Sequence, residues 1–256
     1  MMESLQLWLA APDAAQHFDP AQLTDEDRDR MTRLRRATRR QEFAVSRALR
    51  AHVRRNERDS IRESLSHSGG YAALARAQPA LHVGVDLELH RPRDALAISR
   101  NVFSESETRA LEAAAGPERE RLFYAMWTVK EALAKALQLP LLEALRSCEL
   151  LAVGPAWQIR APAPAVGCVT VYQPRAELTL AVACIGARVP IETWSWPPQR
   201  PASWPVIAAI SLSAAGAPAA ADRESAGAAR AAARASDSGT DGSSCGCGPA
   251  RPAAAS

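Results

Sequence analysis

The distribution of helix breakers is the strongest constraint on how this chain can fold. Neither glycine nor proline occurs across residues 24–55 or across residues 118–139. An interior proline loses a backbone hydrogen bond, and an interior glycine costs about 1 kcal/mol relative to alanine. Both stretches therefore read as helix. The first opens on Thr24-Asp25-Glu26, a capping hydroxyl followed by acids suited to a helix start. It reads as one or two arginine-rich helices with Phe43, Val45, Ala48, Leu49 and Val53 facing inward. The second runs from Glu118 to Gln138, with Pro140 just past its end. Two shorter helices are predicted, one over 95–102 and one opening in FSESE (103–107), where Ser104 and Glu107 have the capping-box spacing.

Strand-like runs flank the helices. LQLWLA (5–10) comes first, then SLSHSGG (64–70), YAALA (71–75) and HVGVDLEL (82–89). Three more runs follow the second long helix, at 148–153, 166–172 and 177–185. Strand, helices, strands therefore occurs twice. Two similar α+β halves explain this order, with subdomains at 1–80 and 81–192. Beyond 193 the chain is proline-rich, then mostly Ala, Ser, Gly and Arg, with no large apolar residue from 213 to 256. A disordered tail is expected over 193–256, because little there offsets the entropy of ordering.

The formal net charge of +3 is too small to imply a nucleic-acid partner for the whole protein. Its distribution says more. Twelve arginines lie between Arg28 and Arg58, whereas the whole chain has two lysines, Lys130 and Lys135. Five cysteines in no framework spacing fit reduced thiols, with Cys148, Cys168 and Cys184 as small core residues. No run is long enough for a membrane span, so a cytoplasmic protein is expected.

Asp86 and Glu88 alternate with Val85 and Leu87, so a strand puts both carboxylates on one face. Such a pair repels unless it is solvated or holds a cation. Oxygen ligands of this kind suit Mg²⁺, although an exposed acidic strand face is the plainer alternative. On the second long helix Trp127, Glu131 and Lys135 share a face. Glu131 and Lys135 could form a simple surface ion pair, but arginine is this chain's usual cation. The exceptional lysines fit a compact charge directed at phosphate. In SHSGG, His67 stands between Ser66 and Ser68 and before two glycines, a composition suited to phosphate oxygens or to a plain turn. The arginine run could bind phosphate bidentately or form a solvated face. With Phe43 as its one aromatic, base stacking has little support.

The order SLSHSGG, GVDLE, FSESE, FYAMWTVKEALAK resembles the 4'-phosphopantetheinyl transferase superfamily, in its monomeric surfactin-synthetase-activating form. The resemblance covers roughly residues 5–191. It implies two α+β subdomains related by a pseudo-twofold, with coenzyme A between them. It implies transfer of 4'-phosphopantetheine from coenzyme A to a serine of an apo acyl or peptidyl carrier protein, leaving adenosine 3',5'-bisphosphate. By resemblance Asp86, Glu88 and Glu131 are the Mg²⁺ ligands, and Glu107 is a further metal-linked carboxylate or the base for the serine. Lys135 lies near the transferred phosphate, and Lys130 matches the lysine preceding the glutamate. Ser66 and His67 match the motif that contacts the coenzyme A phosphates. Arg40, or else Arg36, matches the arginine on the 3'-phosphate. A catalytic role is implied for Glu107, Glu131 and Lys135.

One departure stands out. The family's Gly-Lys-Pro loop before the SHS strand is missing, and residues 54–63 read RRNERDSIRE. Arg58 or Arg62 is the substitute expected there. Two other readings stay open: a nucleic-acid-binding protein using the arginine helices, and a Mg²⁺-dependent nucleotide phosphohydrolase.

Overall fold

The computed structural model describes residues 4–55, 61–153, 156–161 and 166–214. It is a mixed α/β structure with two sheets. The first has strand order β10-β9-β1-β3-β2. Its members are β1 (Leu5–Ala10), β2 (Arg62–Ser68), β3 (Tyr71–Ala77), β9 (Ile191–Trp196) and β10 (Arg200–Pro201). The second has order β4-β8-β7-β11-β6-β5. It comprises β4 (His82–Leu89), β5 (Glu149–Val153), β6 (Ala156–Ala161), β7 (Gly167–Arg175), β8 (Leu178–Ile185) and β11 (Val206–Ala214).

The helices are α1 (Asp25–Arg33), α2 (Ala37–Arg54), α3 (Ala95–Val102), α4 (Glu105–Ala113), α5 (Gly116–Leu137) and α6 (Leu141–Ser147). The Thr24 cap is in place, its hydroxyl accepting from Asp27 N. So is the Ser104/Glu107 capping box. α5 ends at Gln138, whose left-handed φ of 56° closes the helix ahead of Pro140.

Strand alternation divides the apolar residues among three cores. Leu5, Leu7 and Leu9 of the first sheet meet Val83, Val85 and Leu87 of the second. On the other face of the first sheet Trp8 and Leu74 pack with Val45, Leu49 and Val53 of α2. On the other face of the second sheet Val169, Val171, Ala181 and Ala183 pack with Val129, Ala132 and Leu133 of α5.

α5 and β4 come into close contact at Gly84. A Cβ placed on Gly84 would lie 1.9 Å from the Ala132 carbonyl oxygen and 2.6 Å from Ala136 N. Only glycine lets the strand backbone come this near the helix. Asp86 and Glu88 therefore arrive directly beside α5.

The segment after residue 192 departs from expectation. Residues 193–214 are not a structureless tail. β9 runs parallel to β1, pairing Leu5 with Ile191 through Ala10 with Trp196. β11 lies between β7 and β6. The prolines are compatible with this because they fall at the end of β9, in the two-residue edge strand β10 and in the turns. Tryptophans also offset the ordering entropy. Trp194 stacks on Trp8 at 5.3 Å, and Trp196 stacks on His52 at 4.7 Å. Strands after residue 190 thus belong to both sheets. The rest of the expected tail, 215–256, with Cys245 and Cys247, lies outside the described residues.

Gly84→Ala is expected to lower unfolding stability by about 2–3 kcal/mol through overpacking against backbone. Urea denaturation followed by circular dichroism measures it. An unchanged midpoint would contradict the close approach.

Candidate active site

Asp86 and Glu88 project from β4, and Glu131 and Lys135 from α5. Strand period and helical turn converge here. One oxygen from each of Asp86, Glu88 and Glu131 lies within 4.8 Å of the others. Asp86 is 2% exposed. Its Oδ1 accepts hydrogen bonds from Ser66 Oγ at 2.9 Å and Lys135 Nζ at 2.8 Å. Its Oδ2 is buried without a hydrogen-bond partner among the described residues. Lys135 Nζ also donates to the Val85 carbonyl at 2.8 Å. Glu88 Oε2 accepts from Ser68 Oγ at 2.9 Å, with Arg93 at 3.8 Å.

Three carboxylates against Lys135 and the more distant Arg93 leave excess negative charge. Burial, and then the Asp86 carboxylate, push the Glu131 pKa up to about 7; Glu88 adds to the rise and Lys135 opposes it. Burial and Asp86 also raise Glu88, against the Ser68 hydrogen bond and Arg93. An orphaned buried oxygen, hard oxygen donors and mutual repulsion together fit a divalent cation, which these three side chains could hold.

Ser66 therefore sits behind Asp86 rather than facing open solvent, and Ser68 does the same for Glu88. Both hydroxyls lie twenty residues before their carboxylates. The matching S-x-S and D-x-E alternations carried this signal in the sequence. Ser64 Oγ continues the row by accepting from Val85 N at 3.0 Å.

His67 alternates to the opposite face of β2, toward α2. Its Nδ1 is 3.7 Å from Glu42 Oε2. Burial lowers its pKa; Glu42 opposes this, while Arg30 and Arg39 lower it further. The guanidiniums acting on His67 are thus Arg30 and Arg39. Arg36 and Arg40 are exposed, and Arg36 is the residue before the first turn of α2. Glu42 was missed because it looked like one acid within a basic run. Arg62 Nε reaches the Pro79 carbonyl at 3.5 Å. Arg58 lies outside the described residues.

Glu107 and Lys130 are not brought to the carboxylate cluster. Both side chains are 0% exposed and pair with each other at 2.9 Å. Lys130 also donates to Leu145 O at 2.7 Å and Cys148 O at 2.6 Å, so its ammonium is saturated. Glu107 accepts from Ser104 N at 2.8 Å and Leu150 N at 2.9 Å. The two residues expected as metal-linked carboxylate or base (Glu107) and as coenzyme A ligand (Lys130) thus bond to each other, apart from the Asp86, Glu88 and Glu131 cluster. All three Lys130 N–H donors are used, and both Glu107 oxygens accept hydrogen bonds. The pair joins α4, α5, α6 and β5. Lys130 follows Val129 and precedes Glu131 on α5, so the helical turn of about 100° per residue sends it away from Glu131.

Residues 82–163 match the family model of the 4'-phosphopantetheinyl transferase superfamily. The match contains β4, the capping box and all of α5. A Synechocystis sp. protein named "Putative 4'-phosphopantetheinyl transferase" is 36% identical over 81 residues. The aligned part is 31% of this chain and 32% of that protein, so the chain spans about a third of the relative it matches. Both comparisons support the superfamily for the region that carries the carboxylates.

Two outcomes are expected. Lys130→Met is expected to cost about 3–5 kcal/mol, because it leaves Glu107 buried and charged, and Glu107→Leu in the same chain should recover most of the loss. Chemical denaturation of the single and double variants tests this. Glu131→Gln should stabilise the metal-free protein at pH 8. The folded pKa of Glu131 lies above its ordinary value of 4.5, so its charge opposes folding increasingly from 4.5 to about 7 and fully above. Thermal melts in chelator at pH 8 and pH 4 should show the advantage only at the higher pH.

Proposed function

We propose that this chain is a 4'-phosphopantetheinyl transferase of the monomeric, surfactin-synthetase-activating type. It moves phosphopantetheine from coenzyme A to a serine of an apo carrier protein and releases adenosine 3',5'-bisphosphate. The observation that carries the reading is the convergence of Asp86, Glu88 and Glu131 on one point, inside the region that matches the superfamily.

Asp86, Glu88 and Glu131 would hold Mg²⁺. When bound there, the ion supplies Lewis-acid neutralisation of the pyrophosphate charge. Lys135 fixes Asp86 and the Val85 carbonyl with two of its three N–H donors. The third remains for a phosphate oxygen. Ser66 and Ser68 orient the Asp86 and Glu88 carboxylates from behind. His67, with Arg30 and Arg39 near it, offers a basic surface on the other face of β2 for the nucleotide phosphates.

In the reaction the serine oxygen forms a bond to the phosphorus that bears the pantetheine. The bond from that phosphorus to the bridging oxygen breaks, the nucleotide leaves with that oxygen, and the hydroxyl proton passes to solvent. The chain's part is to place groups and stabilise charge.

Incubation with coenzyme A, Mg²⁺ and an apo carrier protein should add one phosphopantetheine per carrier, read by intact mass. No addition across several acyl and peptidyl carriers would sink the proposal. Release of free phosphorylated pantetheine without a carrier adduct would indicate a hydrolase instead. Glu131→Gln should abolish transfer in a chain that still folds, and wild-type rates in that variant would refute the metal assignment.

A further inference from the structure

Glu42 is a buried acid in the middle of an arginine-rich helix, and no role in the transfer has been given to it. Its side chain is 6% exposed. Its Oε1 accepts from Gly69 N at 3.0 Å, and its Oε2 accepts from Arg39 Nη1 at 2.9 Å. It therefore ties α2 to the β2–β3 turn. Gly69 is required in that turn, because its φ is +61° and an added Cβ would fall 2.2 Å from Leu89 Cδ2.

His67 completes the group. Its Nδ1 is buried, lacks a hydrogen-bond partner among the described residues and stands 3.7 Å from Glu42 Oε2. This is just beyond hydrogen-bond reach. A buried imidazole nitrogen so close to a carboxylate is a contact waiting for a proton. The charged groups that face His67 are Glu42 and Arg39 from α2 and Arg30 from α1. As they stand, the two guanidiniums and burial favour the neutral ring. An anion at its outer edge reverses that balance, because it neutralises the arginines and favours an imidazolium.

We infer that Glu42 is a positioning residue that holds His67 and accepts its Nδ1–H when a phosphate-bearing ligand binds, so that binding takes up a proton. The step balances: one proton passes from solvent to the imidazole, both nitrogens become donors, and one bonds Glu42 while the other faces the anion. The inference rests on the transferase reading for the identity of the anion, with coenzyme A as the probe.

Isothermal calorimetry of coenzyme A binding, repeated in buffers of different ionisation heat, counts the protons taken up. Glu42→Gln keeps an oxygen for Gly69 N but removes the charge. Near pH 7.5 the wild type should take up about one proton more per coenzyme A than Glu42→Gln. In a His67→Ala background, Glu42→Gln should make no further difference to the proton count. A purely structural Glu42 would alter affinity without altering that count. Equal uptake in wild type and Glu42→Gln overturns the inference and leaves the transferase reading intact. Failure of the wild type to bind coenzyme A overturns the transferase reading, and the inference with it.

Discussion

Everything at the candidate site depends on how near β4 comes to α5. The carboxylates of Asp86, Glu88 and Glu131 repel one another, and burial makes the repulsion worse. A looser contact would let them spread into solvent. The backbone contact at Gly84 prevents this, since Ala132 and Ala136 fill the space where a side chain would be. Tight packing on the apolar side of α5 thus sustains an unfavourable charge cluster on its edge. Such a cluster is stable only with compensation, which Lys135, Ser66 and Ser68 supply in part.

The fold places two kinds of chemistry on opposite faces of one strand. Ser64, Ser66 and Ser68 of β2 turn toward β4, while His67 turns toward the arginine helices. The division follows from the two-residue period of a strand. A phosphate-rich ligand lying over the β2–β3 turn would meet carboxylates on one side and guanidiniums on the other. The buried Glu107–Lys130 pair lies apart from the three clustered carboxylates. It fastens α5 to α4, α6 and β5, and so holds the helix that presents Glu131 and Lys135.

Much of this was legible in the sequence. The helix breakers, the Thr24 and Ser104 caps and the D-x-E alternation located α1, α2, α4, α5 and β4, because each depends on local chemistry. The strand period put Asp86 and Glu88 on one face, while their meeting with Glu131 was legible only through the family resemblance. What was not legible depended on tertiary context. Glu107 and Lys130 look like exposed polar residues until the partners that saturate them are known. Arg30 and Arg39 could not be told from Arg36 and Arg40, because arginine recurs too often to set the register. The prolines around residue 200 obscured β9, whose stability comes from Trp8 and His52, far away in sequence.

The path of β9 and β11 has a consequence for how the chain is made. The chain builds most of the first sheet early, leaves to form the second, returns as β9 to lie beside β1, and crosses back as β11. During synthesis from the N-terminus, β1 has β3 on one side and an open edge on the other until residues 191–196 emerge. That open edge carries Leu5, Leu7 and Leu9, whose apolar face is also uncovered until β4 and β8 arrive. The N-terminal strands therefore gain their second β1 neighbour and the cover of their apolar face only from later segments. Until β9 is made, that edge is open to wrong pairing, and β9 is the strand that closes it.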